Sequence, residues 1–257
     1  MEEKMKRIPL AAGNWKLNKN IAETSALLEE MLQGLDAIDG VEKLVCPPFT
    51  SLETAARILR GSSISVGAQN IFWEESGAYT GEISPGMIKE LCTYVIIGHS
   101  ERRTYFHETD DSVNRRVKAA LGAGLKPIVC VGETLEQNEA GKTDKVVRAQ
   151  VMKGLDGLQV EKLKDLVIAY EPVWAIGTGK AATPEGANAV IKDSIRGALS
   201  EVLNQDLADA VRVLYGGSIK PGNAASFFCM PDIDGGLVGG ASLKASDFVA
   251  IAEAALE

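Results

Sequence analysis

The chain has 257 residues, of which 46% are apolar and 24% are charged, and its formal net charge is −8. This composition is typical of a globular protein with a substantial core and excludes a disordered chain. The acidic balance argues against binding along a nucleic-acid backbone, although a locally positive site for a small anion remains compatible with it.

Eight short apolar runs recur along the chain, and most are apolar nearly throughout, as in strands buried on both faces. They are IPLAAGNW, KLVCPPF, ISVGAQN, YVIIGHS, KPIVCVGE, LVIAYEP, VRVLYGGS and GGLVGGAS. Each run predicts a β-strand.

Helical patterns alternate with these runs. In TSALLEEMLQGL one stripe of a helix would carry Leu27, Leu28, Met31, Leu32 and Leu35. In TPEGANAVIKDSIRGALSEVL, Thr183 is predicted as the N-cap and Pro184 as the first helical residue. The last segment, SDFVAIAEAALE, places Phe248, Ile251 and Ala255 on one side.

One strand and its helix take about thirty residues, so eight such units occupy residues 1–257 as a single domain. An open doubly wound sheet and a closed barrel both fit this alternation. The count of eight at this length favours a (β/α)8 barrel with a closed parallel sheet.

The amino-terminal segment MEEKMKRIPLAAG has no apolar stretch of signal-peptide length, and no run reaches the length of a membrane span. The cysteines are widely separated without a C-x-x-C pattern, at Cys46, Cys92, Cys130 and Cys229. This spacing suggests neither a disulfide framework nor a zinc site. The chain is predicted to be cytoplasmic, with no membrane or nucleic-acid partner and with no metal.

Polar side chains follow the apolar runs, at the end of a barrel where active sites are built. They are Asn14, Lys16, Gln69, Asn70, His99, Ser100, Glu171 and Ser218. Lys16 is interpreted as a fixed cation for an anionic substrate or a developing oxyanion, with a surface lysine as the alternative. Glu171 lies between an apolar strand and an apolar loop, which suits a general base, with a structural ion pair as the alternative.

His99 precedes the polar run SERR, which predicts a helix start with Ser100 as the cap. A helix N-terminus disfavours imidazolium, so His99 is predicted to be neutral and to donate a hydrogen bond. A core histidine satisfied by backbone is the alternative. The other histidine, His107, is predicted to lie within a helix.

Glycine-rich segments YGGS and GGLVGG adjoin the last two runs, where barrels often bind phosphate through backbone N–H groups. Tight turns are the alternative reason for these glycines. The segment GTGK lacks the remaining residues of a nucleotide P-loop, and GAGLKP lacks the third glycine of a dinucleotide fingerprint. No cofactor is predicted.

The segments GNWKLN, GHSERR, AYEPVWAIGTGK, YGGS and GLVGGASL occur in one order and spacing over essentially the whole chain. In these segments the sequence closely resembles the triosephosphate isomerase family. The resemblance implies an isomerase that interconverts dihydroxyacetone phosphate and D-glyceraldehyde 3-phosphate, in glycolysis and gluconeogenesis, through an enediolate.

The resemblance also implies roles for individual residues. Glu171 would remove the carbon-bound proton, neutral His99 would polarise the carbonyl and shuttle protons, and Lys16 and Asn14 would stabilise the enediolate. The residues implied to bind the substrate and its phosphate are Asn14, Lys16, Gly177, Ser218, Gly239 and Gly240. The residues implied to support the site from behind are Glu101 and Cys130.

Two loops are assigned by the same resemblance. The lid would comprise Pro172, Val173, Trp174, Ala175, Ile176, Gly177, Thr178, Gly179 and Lys180. An apolar lid keeps water from an enediol phosphate that can otherwise lose phosphate. The dimer loop, residues 69–84, would pack exposed apolar side chains against a second copy, through Phe72, Trp73, Tyr79 and Thr80. An ordinary surface loop is the alternative.

Two other functions remain open. One is a phosphate-handling aldolase that uses Lys16 as a Schiff-base amine, although it would leave His99, Glu171 and the lid unexplained. The other is a non-catalytic module that binds phosphosugars without turnover.

Overall fold

The computed structural model describes residues 7–158, 163, 165–176 and 182–256. Eight parallel strands follow one another around a closed barrel, and the last pairs with the first. The strands are β1 Leu10–Asn14, β2 Glu42–Cys46, β3 Ile64–Ala68, β4 Tyr94–Ile97, β5 Lys126–Val131, β6 Val167–Tyr170, β7 Arg212–Tyr215 and β8 Gly235–Val238. The predicted closed (β/α)8 barrel is confirmed.

Helices follow the strands and cover the outside of the barrel. They are α1 Ile21–Asp36, α2 Leu52–Ile58, α3 Pro85–Lys89, α4 Ser100–Tyr105, α5 Asp110–Gly122, α6 Leu135–Glu139, α7 Thr143–Gly154, α8 Pro184–Val190, α9 Gly197–Val202, α10 Gln205–Ala210, α11 Ala224–Phe228 and α12 Ala245–Glu253. A π-helical stretch, Ile191–Arg196, joins α8 to α9. Within the described ranges, no helix has both the length and the apolarity that crossing a bilayer requires.

The predicted helix starts and stripes agree with local chemistry. The Thr183 side chain accepts the Gly186 N–H and Pro184 opens α8, as predicted. Helix α1 begins three residues before the predicted run because Asn20 caps it in a capping box with Glu23. Its buried stripe packs on α2 and α12, and Phe248 of α12 is buried there.

The core has two layers, which alternate along each strand. The barrel interior holds Leu10, Ala12, Leu44, Cys46, Tyr94, Ile96, Ile128, Cys130, Val167, Ala169, Leu214 and Leu237. Neighbouring strand residues point outward into a larger apolar layer beneath the helices. This alternation decides which side chain at each strand end faces the axis.

A polar network lies at the amino end of the barrel, opposite the strand ends that carry the candidate site. The Tyr94 hydroxyl donates to Glu42 (2.6 Å) and accepts from Arg212 (2.9 Å). Arg212 also donates to Glu42 (2.6 Å). Burial raises the pKa of Glu42, but Tyr94 and Arg212 lower it by more, so the net shift is downward. The network therefore joins β2, β4 and β7 across the barrel.

Tyr94→Phe is expected to lower the free energy of unfolding by about 1–3 kcal/mol, since it leaves Glu42 and Arg212 each without one hydrogen bond. Because the folded-state pKa of Glu42 is lowered, its contribution is present above the ordinary glutamate pKa and is lost as pH falls through the folded-state value. Denaturant unfolding at neutral and acidic pH measures both effects. Tyr105→Phe, at an exposed tyrosine, is the matched control, and equal stability of the two variants would contradict the prediction.

Candidate active site

Asn14 and Glu171 reach the axis because they continue the inward alternation of their strands. Asn14 follows Leu10 and Ala12 in β1, and Glu171 follows Val167 and Ala169 of β6. Both polar side chains are buried, and Glu171 is only 2% exposed. A carboxylate so deeply buried requires strong hydrogen bonds.

The Glu171 carboxylate is held by two neighbours at the end of β4. The Ser100 N–H donates to Oε2 (2.8 Å), and His99 Nε2 lies 2.9 Å from Oε1. Burial raises the pKa of Glu171, but His99, the Ser100 amide and Lys16 outweigh it, so the pKa lies below its ordinary value. Glu171 is therefore an ionised carboxylate at neutral pH.

His99 is the N-cap of α4, so the prediction of Ser100 as the cap is wrong. The helix starts at Ser100, and His99 Nδ1 accepts the Glu101 N–H (3.2 Å), a bond that a serine hydroxyl would otherwise make. Since Nδ1 is an acceptor, the hydrogen of a neutral ring is on Nε2, which donates to Glu171. Burial lowers the pKa of His99, while the Glu171 carboxylate raises it by more. The pKa of His99 is therefore raised only while the Glu171 carboxylate stays beside the imidazole.

The prediction that His107 lies within a helix is wrong. His107 is exposed in the turn between α4 and α5 and has a left-handed backbone (φ 54°). The helix ends at Tyr105 instead, and α5 begins at Asp110 under its own cap, Thr109. His107 lies outside the set of residues that converge at the strand ends.

Lys16 has a left-handed backbone (φ 52°), which is unusual for a residue with a side chain. Its N–H donates to Asn14 Oδ1 (3.1 Å), and the Gln69 side chain donates to the Lys16 carbonyl (2.9 Å). The Lys16 ammonium pairs with Glu101 (2.6 Å). Strained backbone held by several groups is typical of functional sites.

Two glycines flank Glu171 from the neighbouring strands, Gly132 after β5 and Gly216 after β7. A β-carbon at Gly132 would lie 1.7 Å from the Glu171 carbonyl oxygen, and one at Gly216 would lie 2.8 Å from Glu171 Cγ. The Gly216 N–H also donates to the Tyr170 carbonyl (2.7 Å). Any side chain at either position would displace Glu171.

The described part of the lid, residues 172–176, is anchored by Glu133. Trp174 Nε1 donates to its carboxylate (2.7 Å), the Tyr170 hydroxyl donates to the same group, and the Val173 N–H donates to its carbonyl (3.1 Å). A short 3-10 turn spans Val173–Ala175. The predicted lid residues Gly177, Thr178, Gly179 and Lys180 lie outside the described residues.

Cys130 faces the barrel interior, and its carbonyl accepts from Arg103 (3.2 Å). Burial raises the pKa of its thiol, and the Glu171 carboxylate raises it further. The group therefore stays protonated and acts by packing beside the base.

A cavity of about 540 Å³ opens at the carboxyl end of the barrel. Its lining brings together the predicted residues Asn14, Lys16, His99, Glu171, Ile176, Ser218, Gly239 and Gly240. The glycine loops after β7 and β8 form one side, and a 3-10 turn, Gly240–Leu243, begins at the second loop. The cavity thus places a base, an imidazole and an ammonium opposite backbone suited to phosphate.

In the predicted dimer loop, fewer aromatic side chains are exposed to solvent than expected. Phe72 is buried, because it stacks on Trp73 (4.2 Å between ring centroids) and contacts Tyr79 (4.8 Å). Arg116 covers the Trp73 ring. Tyr79 is 45% exposed and Thr80 is exposed, so the expectation of three exposed aromatic side chains holds only for Tyr79.

Comparison with known proteins identifies this arrangement. The family model for triosephosphate isomerase matches residues 9–255. The chain belongs to the triosephosphate isomerase family. It is 55% identical to the triosephosphate isomerase of Caldanaerobacter subterraneus subsp. tengcongensis, covering 95% of this chain and 98% of that protein. It is 50% identical to the enzyme of Carboxydothermus hydrogenoformans, covering 97% and 100%, and 54% identical to that of Dehalococcoides mccartyi strain CBDB1, covering 94% of each.

The sequence analysis did not predict several contacts at this site. Glu133 and Gly132 both follow the run KPIVCV, so the strand-end rule could have found them. Gln69 was noted at a strand end, and the structure assigns it to the Lys16 backbone, whereas Asn70 is buried and does not line the cavity. No local signal marks the Ser100 amide as a hydrogen-bond donor to the base.

Proposed function

We propose that the chain interconverts dihydroxyacetone phosphate and D-glyceraldehyde 3-phosphate by general acid-base catalysis. The observation that carries the proposal is the convergence of Glu171, His99, Lys16 and Asn14 in one cavity beside the β7 and β8 glycine loops. Membership of the triosephosphate isomerase family supports it.

Proton abstraction falls to Glu171, which is ionised and lies at the cavity wall. Its carboxylate leaves the Ser100 amide for the substrate carbon, takes the proton to form the enediolate, and returns a proton to the neighbouring carbon to complete the isomerisation. The Nε2–H of His99 then polarises the substrate carbonyl and moves protons between the two oxygens. When the Glu171 carboxylate moves from the imidazole to the substrate carbon, it no longer raises the pKa of His99. Burial, which lowers that pKa, then favours the neutral imidazole.

Lys16 and Asn14 stabilise the enediolate. The Lys16 ammonium, now paired with Glu101, lines the cavity and supplies positive charge to the developing oxyanion. Asn14 contributes its amide and also holds the Lys16 backbone. The left-handed geometry thereby fixes where the ammonium points.

The phosphate binds between the glycine loops. Ser218, Gly239 and Gly240 line that side of the cavity, and Gly177 of the lid supplies a further N–H on closure. The Ser242 amide and hydroxyl both donate to the Gly239 carbonyl (2.9 and 2.7 Å), which holds this loop in shape. Closure of the apolar lid excludes water while the enediolate exists.

A coupled assay tests the proposal, with D-glyceraldehyde 3-phosphate as substrate and glycerol-3-phosphate dehydrogenase oxidising NADH. The expected result is NADH oxidation by the wild type that Glu171→Ala abolishes. Folded wild type that binds phosphoglycolate without turnover would instead favour a binding module. Trapping of a Lys16 adduct by borohydride with substrate would favour the aldolase.

We also propose that two copies of the chain associate through the loops after β1 to β4. In the described part of the chain, large apolar side chains are exposed in these loops and in the short helices α3 and α4 that follow two of them, at Leu17, Phe49, Tyr79, Met87, Tyr105 and Phe106. Such a concentration on neighbouring loops is typical of an association face. The face adjoins Lys16, so the partner would support its strained backbone.

Leu17→Glu is expected to shift the protein from two chains to one, since Leu17 is 97% exposed on this face, beside Lys16. A buried, unpaired carboxylate there disfavours association. Sedimentation equilibrium measures the mass. Ile8→Glu is the matched control, because Ile8 is 61% exposed at the opposite end of β1. A dimeric Leu17→Glu, or a monomeric wild type, would contradict the proposal.

Two broader expectations belong to the same proposal. The whole chain, residues 1–257, acts as one catalytic domain, which the single closed barrel and the packing of α12 on α1 support. Its location is cytoplasmic, where glycolytic triose phosphates occur.

A further inference from the structure

We propose that Gln150 is a positioning residue for the catalytic base, acting through the Gly132 peptide. Gln150 lies on α7, outside the barrel, and makes two hydrogen bonds to one residue. Its Oε1 accepts the Gly132 N–H (2.7 Å), and its Nε2 donates to the Gly132 carbonyl (3.1 Å). A primary amide matches this donor and acceptor pair, and each bond is within normal length.

The Gly132 peptide bears directly on Glu171. The site for a β-carbon on Gly132 lies 1.7 Å from the Glu171 carbonyl oxygen and 3.2 Å from its Cα, so the two backbones are in contact. The residues on either side of Gly132, Val131 and Glu133, accept backbone hydrogen bonds from the segment that contains Glu171. The Glu171 N–H donates to Val131 (2.7 Å), and the Val173 N–H donates to Glu133 (3.1 Å). A shift of Gly132 therefore moves the backbone that carries the carboxylate.

Gly132 contacts the Glu171 backbone and also borders open space. A second cavity, of about 220 Å³, lies behind the base, and Gly132, Gln150, Gln137 and Glu171 are among the residues that line it. A cavity of that volume leaves room for a peptide to move. The two bonds from Gln150 are side-chain restraints on the Gly132 peptide at this cavity. Gln150 does not line the cavity that holds Lys16 and His99, so it acts on the base and not on substrate.

This inference rests on the proposed isomerase activity and is tested in the same assay. Gln150→Met keeps the length of the side chain and removes both bonds. Gln150→Glu keeps the acceptor for the Gly132 N–H, but its second oxygen faces a carbonyl and repels it until the carboxyl is protonated. Gln137→Met is the matched control, since Gln137 lines the same cavity but accepts from Thr134, in its own helix cap.

Gln150→Met is expected to lower kcat about tenfold, because a misplaced base loses part of its near-attack geometry. KM and competitive inhibition by inorganic phosphate should stay within twofold of wild type, because the phosphate loops are untouched. Gln137→Met should retain the wild-type kcat. For Gln150→Glu, the ratio of its kcat to that of wild type should rise as pH falls from 8 to 6, when protonation restores the second bond.

Wild-type kcat in Gln150→Met, an equal loss in Gln137→Met, or a rise in KM at unchanged kcat would each overturn the inference. A pH-independent ratio for Gln150→Glu would do so as well, and this variant serves if Gln150→Met fails to fold. Wild-type enzyme without turnover would overturn the proposed function and this inference together, so the two failures are distinguishable.

Discussion

Glu171→Asp is expected to lower kcat about a hundredfold. The shorter side chain withdraws the carboxylate from the substrate carbon by about an ångström, and such a displacement removes much of the gain from orientation. The backbone at Glu171 is held on both sides, because the Glu171 N–H donates to the Val131 carbonyl and the adjacent Tyr170 carbonyl accepts the Gly216 N–H (2.7 Å each), so it does not advance to compensate. Steady-state kinetics with both triose phosphates measure the loss, and KM is expected to change little.

Glu171→Gln separates charge from shape, because it preserves length and removes the base. We expect a loss of about 10³-fold or more. Glu29→Asp and Glu29→Gln, on the exposed face of α1, are the controls for the same two chemical changes away from the site. Near-normal turnover of either Glu171 variant, with fold intact by circular dichroism, would refute its role as the base.

His99→Gln is expected to lower kcat by about 10²-fold. The imidazole supplies an Nε2 donor that lies 2.9 Å from Glu171 and lines the cavity in which we propose that the substrate binds. A glutamine amide can still donate, but it cannot exchange protons between two oxygens. The expected signature is a fall in kcat larger than any change in KM.

His107→Gln provides the matched control, since His107 is the other histidine and is exposed in the turn after α4. It should leave kcat unchanged. An unaltered rate in His99→Gln would remove this residue from the mechanism, whereas equal losses in both variants would indicate a general effect on α4.

Much of the barrel is encoded locally. The eight apolar runs became eight strands in chain order, and the Thr183 and Pro184 pair began α8 as predicted. Strand alternation also explains why Glu171 and Asn14 face the axis. The barrel and the membership of the triosephosphate isomerase family are both confirmed.

Local patterns were less informative where tertiary contacts compete with them. Ser100 is a good cap by type, yet His99 takes that position because its imidazole is held between the Glu101 amide and Glu171. Phe72 was predicted to be exposed from its loop, but it stacks on Trp73 instead. In both cases a partner distant in sequence contributes: Glu171 holds the His99 ring, and Arg116 covers the Trp73 ring.

The sequence by itself determined the strands, the helices, the inward positions and the chemical groups at the strand ends, because these depend on periodicity and residue type. Only the tertiary structure decided which groups meet. Closure of the barrel joins Lys16 to Glu101, 85 residues away, and the Ser100 amide to Glu171, 71 residues away. It also brings the Gly132 backbone into contact with Glu171 and places Gln150 within hydrogen-bond distance of Gly132. Such contacts depend on strand register and on the position of helices over the sheet, which no local pattern encodes.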